Sequence, residues 1–391
     1  MSARATPALA GWGALGALLL GLWLTVPPVE LRTPAPSAVL IVVAAGAGAW
    51  VAARGQRRLG ISIVVCAIAT GAVALGATHA SSHKLQSVVV WSALVSSTLA
   101  NATPLLFAAI GGVISERSGV INIALEGIML IGAFFGLLGA DLTGSWVGGL
   151  ALATAAGGVT ALIYAFFAIQ LRANQIVGGL AVNLFAVGIT SYLLVDRYGA
   201  HGTPQDLPGI PDVHLGFISD VYFVGPALGS LNLMVWLGLL FVVVSHVVLF
   251  RTPIGMRLRA VGEKPEAAEN AGISVFRVRY IAVVCSGMLG ALGGAYLSIG
   301  FVHAFSDNMT SGRGYIALAS VALGAWRPVG ALGAVLLFGF ASALALRLQV
   351  FSESAATLLQ ALPYVLTLVL VAGLVRRARA PAADGVPYDP R

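Results

Sequence analysis

The sequence predicts an all-α fold: a polytopic membrane helix bundle of about ten to twelve spans, some discontinuous, with one short cytoplasmic helix. Three observations predict it. Apolar runs of roughly 20 residues, each long enough to cross a bilayer as a helix, recur along nearly the whole chain. The composition is 58% hydrophobic and only 9% charged, which no water-soluble core requires. One charged, helix-competent island, residues 251–279, interrupts the apolar pattern.

The spans fall near 8–26, 37–53, 60–78, 88–114, 119–140, 146–171, 175–196, 232–250, 280–303, 313–326, 329–348 and 356–375. The first run begins like a secretory signal. It is longer than a signal's apolar region, however, and ends at Pro27 and Pro28 without a small-x-small cleavage site, so it reads as a span. The stretch 313–326 is short for a full crossing and reads as a half-helix or re-entrant piece. Residues 1–87 therefore add N-terminal transmembrane segments to a core at 88–380. The charged loop 251–279 lies within that core, and a cytoplasmic tail follows at 381–391.

Loop charges set the orientation. Arg54, Arg57, Arg58, Arg117, Arg172, the basic loop after the eighth span, and Arg376, Arg377 and Arg379 all fall on one side if both termini are cytoplasmic. The opposite side holds Glu30 with Arg32, Lys84, Asp141, and a long loop from Asp196 to Leu231 that carries Asp206, Asp212 and Asp220. That loop, rich in Gly and Pro, is long enough to cover a pore mouth or offer a docking surface; a plain connector is the other reading. The net charge of +7 is thus a topology signal and not a nucleic-acid footprint.

Metal and disulfide chemistry find no support. Cys66 and Cys285 both sit inside apolar runs, and the six histidines are scattered without ligand spacing. No Ser/His pair, no His-x-x-Glu-His cluster and no paired aspartates meet in the spans, which argues against an intramembrane enzyme. No catalytic residue is expected.

The segment 104–127, PLLFAAIGGVISERSGVINIALEG, concentrates unusual features. Pro104 should kink its helix, because it removes a backbone donor and crowds the preceding turn. Glu116-Arg117-Ser118-Gly119 breaks the apolar run. Beyond it Asn122 and Glu126 are four residues apart, which places them on one face of a continuing helix. A carboxylate buried there costs about 2.5–3.5 kcal/mol on insertion scales, so Glu126 must have an offset. It lines a polar path, sits near the membrane edge, or caps a neighbouring broken helix. An internal echo is either a repeat or a chance likeness between Gly/Ala-rich spans: 119–136 (GVINIALEGIMLIGAFFG) resembles 312–326 (GRGYIALASVALGAW) with a one-residue gap.

Other polar side chains inside spans are Asn101, Asn174, Gln175, Asn183, Ser191, Ser320 and Gln360. Such groups either hydrogen-bond a polar solute or join helices to one another. Asn101, Asn122, Glu126, Asn183 and Ser320 form the candidate path. Many of the 48 glycines lie in spans, as in GMLGALGGAYLSIG at 287–300, where small residues let helix backbones approach closely.

In the charged island, Pro265 suits the first turn of a helix. Glu266 favours its positive end, and Gly272 can end it in a left-handed conformation. A helix of about two turns results, with Ala267, Ala268 and Ala271 available for contact. It either docks a soluble partner or rests on lipid headgroups.

Two motifs carry a resemblance. Thr252-Pro253-x-Gly255-x-x-x-Arg259-Ala260-x-Gly262, continuing through Ala267-Ala268 to Gly272-Ile273, resembles the cytoplasmic loop of bacterial ABC-importer permeases of the branched-chain amino acid and simple-sugar family. Glu116-Arg117-Ser118-Gly119-Val120-x-Asn122-Ile123-x-Leu125-Glu126-Gly127 is similar to the signature of its nucleoside subgroup. The resemblance covers about 90–380, and Lys264-Pro265 stands where Asn-Pro is more usual. It implies a permease core at 88–380 whose coupling helix, 264–272, meets the ATPase through Gly262, Glu263, Pro265, Glu266, Ala267, Ala268, Asn270 and Gly272. It also implies a second permease, homologous or identical, and an extracytoplasmic solute-binding protein. The protein would sit in the bacterial plasma (inner) membrane, with lipid around it. The chain would bind no cofactor, ATP and Mg being used by the partner subunit.

There is no Gly-x-x-x-x-Gly-Lys-[Ser/Thr] pattern around Lys84 or Lys264, the only lysines, so the energy must come from another polypeptide. The expected function is the permease subunit of an ATP-driven importer moving nucleosides or related sugar-like solutes by alternating access. The competing readings are a permease for simple sugars or branched-chain amino acids and an ion-coupled carrier, for which Glu126 is the strong ionisable candidate.

Overall fold

The fold is known from a computed structural model, which describes residues 35–53, 64, 67, 91–199, 202–204, 206–216, 224–348 and 379–389. The spans expected near 8–26, 60–78 and 356–375 lie outside the described residues, apart from positions 64 and 67. So do Lys84, Gln360, Arg376 and Arg377. The chain divides into two compact units, residues 1–95 with 342–376 and residues 96–341 with 377–391. Helix α1 (Ala35–Ala53) belongs to the first.

Among the described residues, seven helices are long and apolar enough to cross a membrane. They are α2 (Trp91–Glu116), α3 (Leu125–Thr143), α4 (Trp146–Ala165), α5 (Gln175–Tyr198), α6 (Leu233–Arg251), α9 (Val275–Ala295) and α11 (Pro328–Leu348). The last turns of α4 and α9 widen into π-helix at Phe166–Gln170 and Tyr296–Val302. Two shorter helices, α7 (Pro253–Glu263) and α8 (Pro265–Asn270), occupy the charged loop. A third, α10 (Arg313–Leu323), has 11 residues. At 1.5 Å per residue it spans only about half of a hydrocarbon core, the half-helix its length predicted.

Local chemistry explains the boundaries. Asn174 Oδ1 accepts the amides of Ile176 and Val177 and starts α5. Thr252 Oγ1 accepts from Gly255 N, with Pro253 at the first helical position of α7. α2 runs through Pro104 as one helix. The expected span 119–140 begins later than its apolar run does. Residues 117–124 are non-helical and α3 starts at Leu125, so Asn122 and Glu126 do not share a helix face. Gly119, at φ 91°, turns the chain where a side chain would be strained.

The core lies among α3, α4 and α9. Ile128, Ala161, Tyr164, Val283 and Ala291 pack there with Val120 and Ala124 of the unwound segment. Backbone contact across these helices depends on glycine, because helices in lipid associate through close packing. A Cβ on Gly132 or Gly157 would collide with Ala291, and one on Gly294 would collide with the Met129 carbonyl. Gly188 of α5, by contrast, faces open space. Gly294→Ala is therefore expected to destabilise by about 1–3 kcal/mol through overpacking. Gly188→Ala should be neutral or stabilising by up to ~1 kcal/mol through helix propensity. Thermal unfolding of the detergent-purified variants checks both, and equal midpoints would contradict the packing.

The exposed sides of α4, α5 and α6 are apolar, with Leu162, Phe185, Val195 and Val243 among the residues facing outward, as lipid contact requires. Part of the Gly/Pro-rich loop is ordered. Strands β1 (Asp212–His214) and β2 (Ser230–Asn232) pair antiparallel, and Ile210 N donates to Ile299 O at 3.0 Å.

Candidate functional site

Unwound backbone in a membrane protein must find partners for its polar groups, and residues 117–124 find theirs at the end of α2 and on distant helices. Ser115 Oγ donates to Val120 O (2.6 Å) and Tyr164 OH to Ile121 O (2.5 Å). Gln175 Oε1 accepts from Ile121 N (2.8 Å), and Asn183 Nδ2 donates to Ile123 O (3.0 Å). Four side chains thus hold open a break that connects the end of α2 to the start of α3.

Glu126 stands in the first turn of α3, and its carboxylate reaches across to the half-helix α10. Oε1 accepts from Gly312 N at 2.7 Å and Oε2 from Gly314 N at 2.5 Å. The helix N-terminus supplies unsatisfied amides and a positive dipole end, and the carboxylate meets both. This is the offset that its burial demanded: Glu126 caps a neighbouring half-helix. Gly314 is needed for the approach, since a Cβ there would meet Glu126 Cα at 2.5 Å.

The two echoed segments therefore touch. Each opens on a left-handed glycine, Gly119 (φ 91°) and Gly312 (φ 83°). At the far end of α10 the contact repeats: Arg117 Nε donates to Trp326 O (2.9 Å), and Trp326 Nε1 donates to Glu116 Oε2 (2.5 Å). These bonds hold Ala325 and Trp326 in the left-handed region, at φ 54° and 53°, which is unusual for residues with a side chain. Burial pulls the Arg117 guanidinium below its ordinary pKa, with Glu263 opposing.

Beside the Glu126 cap lies a cavity of about 320 Å³ lined by Glu126, Leu180, Asn183, Leu184, Asn308 and Tyr315, among others. Asn183 organises it. Its Oδ1 accepts from Gly127 N (2.8 Å), and its Nδ2 donates to Tyr315 OH (2.9 Å) as well as to Ile123 O.

Of the five path candidates, the structure brings Glu126 and Asn183 together at this cavity. Asn122 is buried behind it and donates to Ser286 Oγ (3.0 Å). Asn101 and Ser320 bond their own helices, at Ser97 O and Ile316 O. Tyr315 and Asn308 were not singled out in the sequence, although Tyr315 lies inside the echo, one residue past the glycine that Glu126 caps.

The expected short helix forms at 265–270 as α8, with Pro265 in its first turn. Gly272 follows at φ 81°, the left-handed stop predicted for it. Glu263, Glu266, Ala267, Asn270 and Gly272 are exposed, while Gly262, Pro265 and Ala268 are buried. Ala268 thus faces the body of the protein and not solvent, because Val261, Val275 and Tyr388 pack around it. Gly262 sits directly on the Arg117 carbonyl, which ties the loop to the helix break.

A multi-pass bundle built on an unwound span and a half-helix meeting within it is the architecture of a membrane transport protein. Among the described residues no group of His, Cys, Asp and Glu gathers as metal ligands. Residues 94–372 match the family model described as the branched-chain amino acid transport system / permease component. The chain belongs to that family, whose members are components of transporters and not enzymes. It is 41% identical to the guanosine ABC transporter permease protein NupQ of Bacillus subtilis, over 77% of this chain and 98% of the relative. It is 36% identical to the nucleoside ABC transporter permease protein NupC of Lactococcus lactis, over 75% of this chain and 96% of the relative. No solved structure matches it.

Proposed function

We propose that this chain is the membrane-spanning subunit of an ATP-driven importer for nucleosides, in which a partner ATPase acts on α8 and the bundle alternates its access. One observation carries the reading: α8 is buried on one side against the body and bare on the other, along Glu266, Ala267 and Asn270. A polar face around one small residue, backed by packing, suits a lever, whereas a helix resting on lipid would turn apolar residues outward. The Arg-rich end is read as cytoplasmic by loop charge, with both termini there, in a bacterial plasma (inner) membrane. A second permease chain, homologous or identical, completes the pathway, and an extracytoplasmic solute-binding protein delivers the solute. ATP and Mg belong to the ATPase.

The substrate class rests on two supports. NupQ and NupC, named for guanosine and nucleosides, match three quarters or more of this chain. The cavity beside Glu126 combines an amide, a phenol and aliphatic side chains, groups that suit a neutral solute with a ring and hydroxyls. Both Glu126 oxygens are engaged by backbone amides, which argues against ion coupling through that residue. Competition of labelled nucleoside uptake tests the class. Unlabelled nucleosides should compete, and inhibition by monosaccharides or branched-chain amino acids alone would refute it.

Within this reading Tyr315 contacts the solute. Tyr315→Phe removes the hydroxyl that Asn183 bonds, worth about 0.5–1.5 kcal/mol, or roughly 2–10-fold. The half-saturating nucleoside concentration for uptake should rise by that factor with membrane levels unchanged. An unchanged concentration dependence would remove Tyr315 from the path.

A further inference from the structure

Residues 381–391 were expected to form a cytoplasmic tail. Residues 379–389 are laid down across the back of the coupling loop, and three of them, Pro381, Ala383 and Tyr388, are buried. Ala383 N donates to Gly262 O (2.9 Å) and Ala382 N to Glu263 Oε2 (3.4 Å). Tyr388 OH donates to Glu269 of α8. The Tyr388 ring packs with Val261, Ala268 and Val275 and meets Phe276 edge-on at 5.8 Å.

The same segment supplies the one hydrogen bond of Arg279, which is only 1% exposed and whose Nε and Nη2 are buried without an acceptor. Its hydrogen bond runs from Nη1 to Val386 O (3.1 Å), and the guanidinium carbon lies 6.0 Å from the centre of the Tyr388 ring. Asp384 lies near enough to be felt by the guanidinium without a direct ion pair to it. Burial pushes the Asp384 carboxyl up to about 7, against the pull of Arg279. A buried guanidinium left without these partners is strongly unfavourable, so the segment is part of the folded structure. Gly385, at φ 73°, lies against Ile121 of the helix break. Asp389 pairs with Arg172 at 2.8 Å, between α4 and α5.

We propose that residues 379–389 form a strap that holds α8 in register and ties it to the 117–124 break, making the strap a working part of the coupling apparatus. It lies under the buried face of α8 and leaves Ala267 free, which fits a bed for the lever and not a lid over it. This proposal rests on the reading of α8 as the ATPase contact.

Two measurements on the full transporter test it, with the chain whole or ended after Ala378. The first is the labelling rate of Ala268→Cys by a membrane-impermeant maleimide, located by mass spectrometry and compared with Ala267→Cys. The strap should shield the Ala268→Cys thiol. Its loss should raise that rate at least tenfold, while the Ala267→Cys rate stays the same. The second is nucleoside-stimulated ATPase activity, which should fall at least fivefold on truncation while the ATPase still co-purifies. Tyr388→Ala, with the strap retained, gives both readouts in the same direction should the shortened chain not reach the membrane. Equal labelling with and without the strap overturns the anchoring, and full stimulation without it overturns the coupling role. Ala267→Arg in the intact chain separates the two ideas: wild-type stimulation in that variant refutes α8 as the contact, whatever the strap does.

Discussion

Ala267→Arg is expected to abolish nucleoside-stimulated ATP hydrolysis while leaving the chain inserted and folded. Ala267 is exposed on α8 and touches none of the core, so the larger side chain has room in the isolated subunit. In the assembled transporter that face would be covered. An arginine there meets a surface shaped for a methyl group and becomes a buried, unpaired charge. Such a charge costs about 3–5 kcal/mol, roughly a hundredfold or more in docking affinity. Co-purification of the ATPase and its stimulation by nucleoside with the binding protein should both collapse, with an unchanged melting temperature for the permease alone. Ala268→Arg should behave differently. Ala268 is buried against Val261, Val275 and Tyr388, so a charge there should lower the yield of folded protein. Intact stimulation in Ala267→Arg would count against α8 as the docking site.

The second large effect is expected at Glu126. Glu126→Ala strips two amides, the half-buried Gly312 N and the buried Gly314 N, of their acceptor. Each orphaned donor costs about 1–3 kcal/mol, so roughly 2–6 kcal/mol of local stability at the start of α10 is lost. The half-helix should fray from its N-terminus, carrying Tyr315 away from Asn183 and opening the cavity. Glu126→Gln keeps one acceptor but aims an amide N–H₂ at the second donor, so it should lose about half as much. Uptake should fall in the order wild type, Gln, Ala, and amide exchange at 312–316 should rise in the same order. Wild-type uptake and exchange in Glu126→Gln would show that the second hydrogen bond is dispensable.

Much of the bundle was legible because span length and composition are constraints of the bilayer itself. The run expected at 146–171 is observed as Trp146–Gln170 and that at 175–196 as Gln175–Tyr198. The half-helix followed from a run too short for a full crossing, and α8 from Pro265 and Gly272. What stayed hidden was set by partners far away in sequence. The unwinding at 117–124 depends on Tyr164, Gln175 and Asn183, and apolar periodicity carries no trace of acceptors and donors on other helices. Ala267 and Ala268 look alike in sequence, yet one is bare and the other buried because Tyr388, more than a hundred residues on, packs beside Ala268. Polar residues in spans gave a mixed signal for a similar reason. Asn101 and Ser320 satisfy themselves on their own helices, whereas Asn183 reaches across to the break. The echo between 119–136 and 312–326 proved the more useful guide, since it pointed at the two segments that Glu126 joins.

Uptake into proteoliposomes tests the central claim most directly. The chain would be reconstituted with its second permease and solute-binding protein, either with or without the ATPase subunit and enclosed ATP. The account predicts concentrative nucleoside uptake only when ATPase and ATP are both present, unaffected by a protonophore. Accumulation against a gradient in vesicles lacking the ATPase, and its collapse on adding the protonophore, would contradict it.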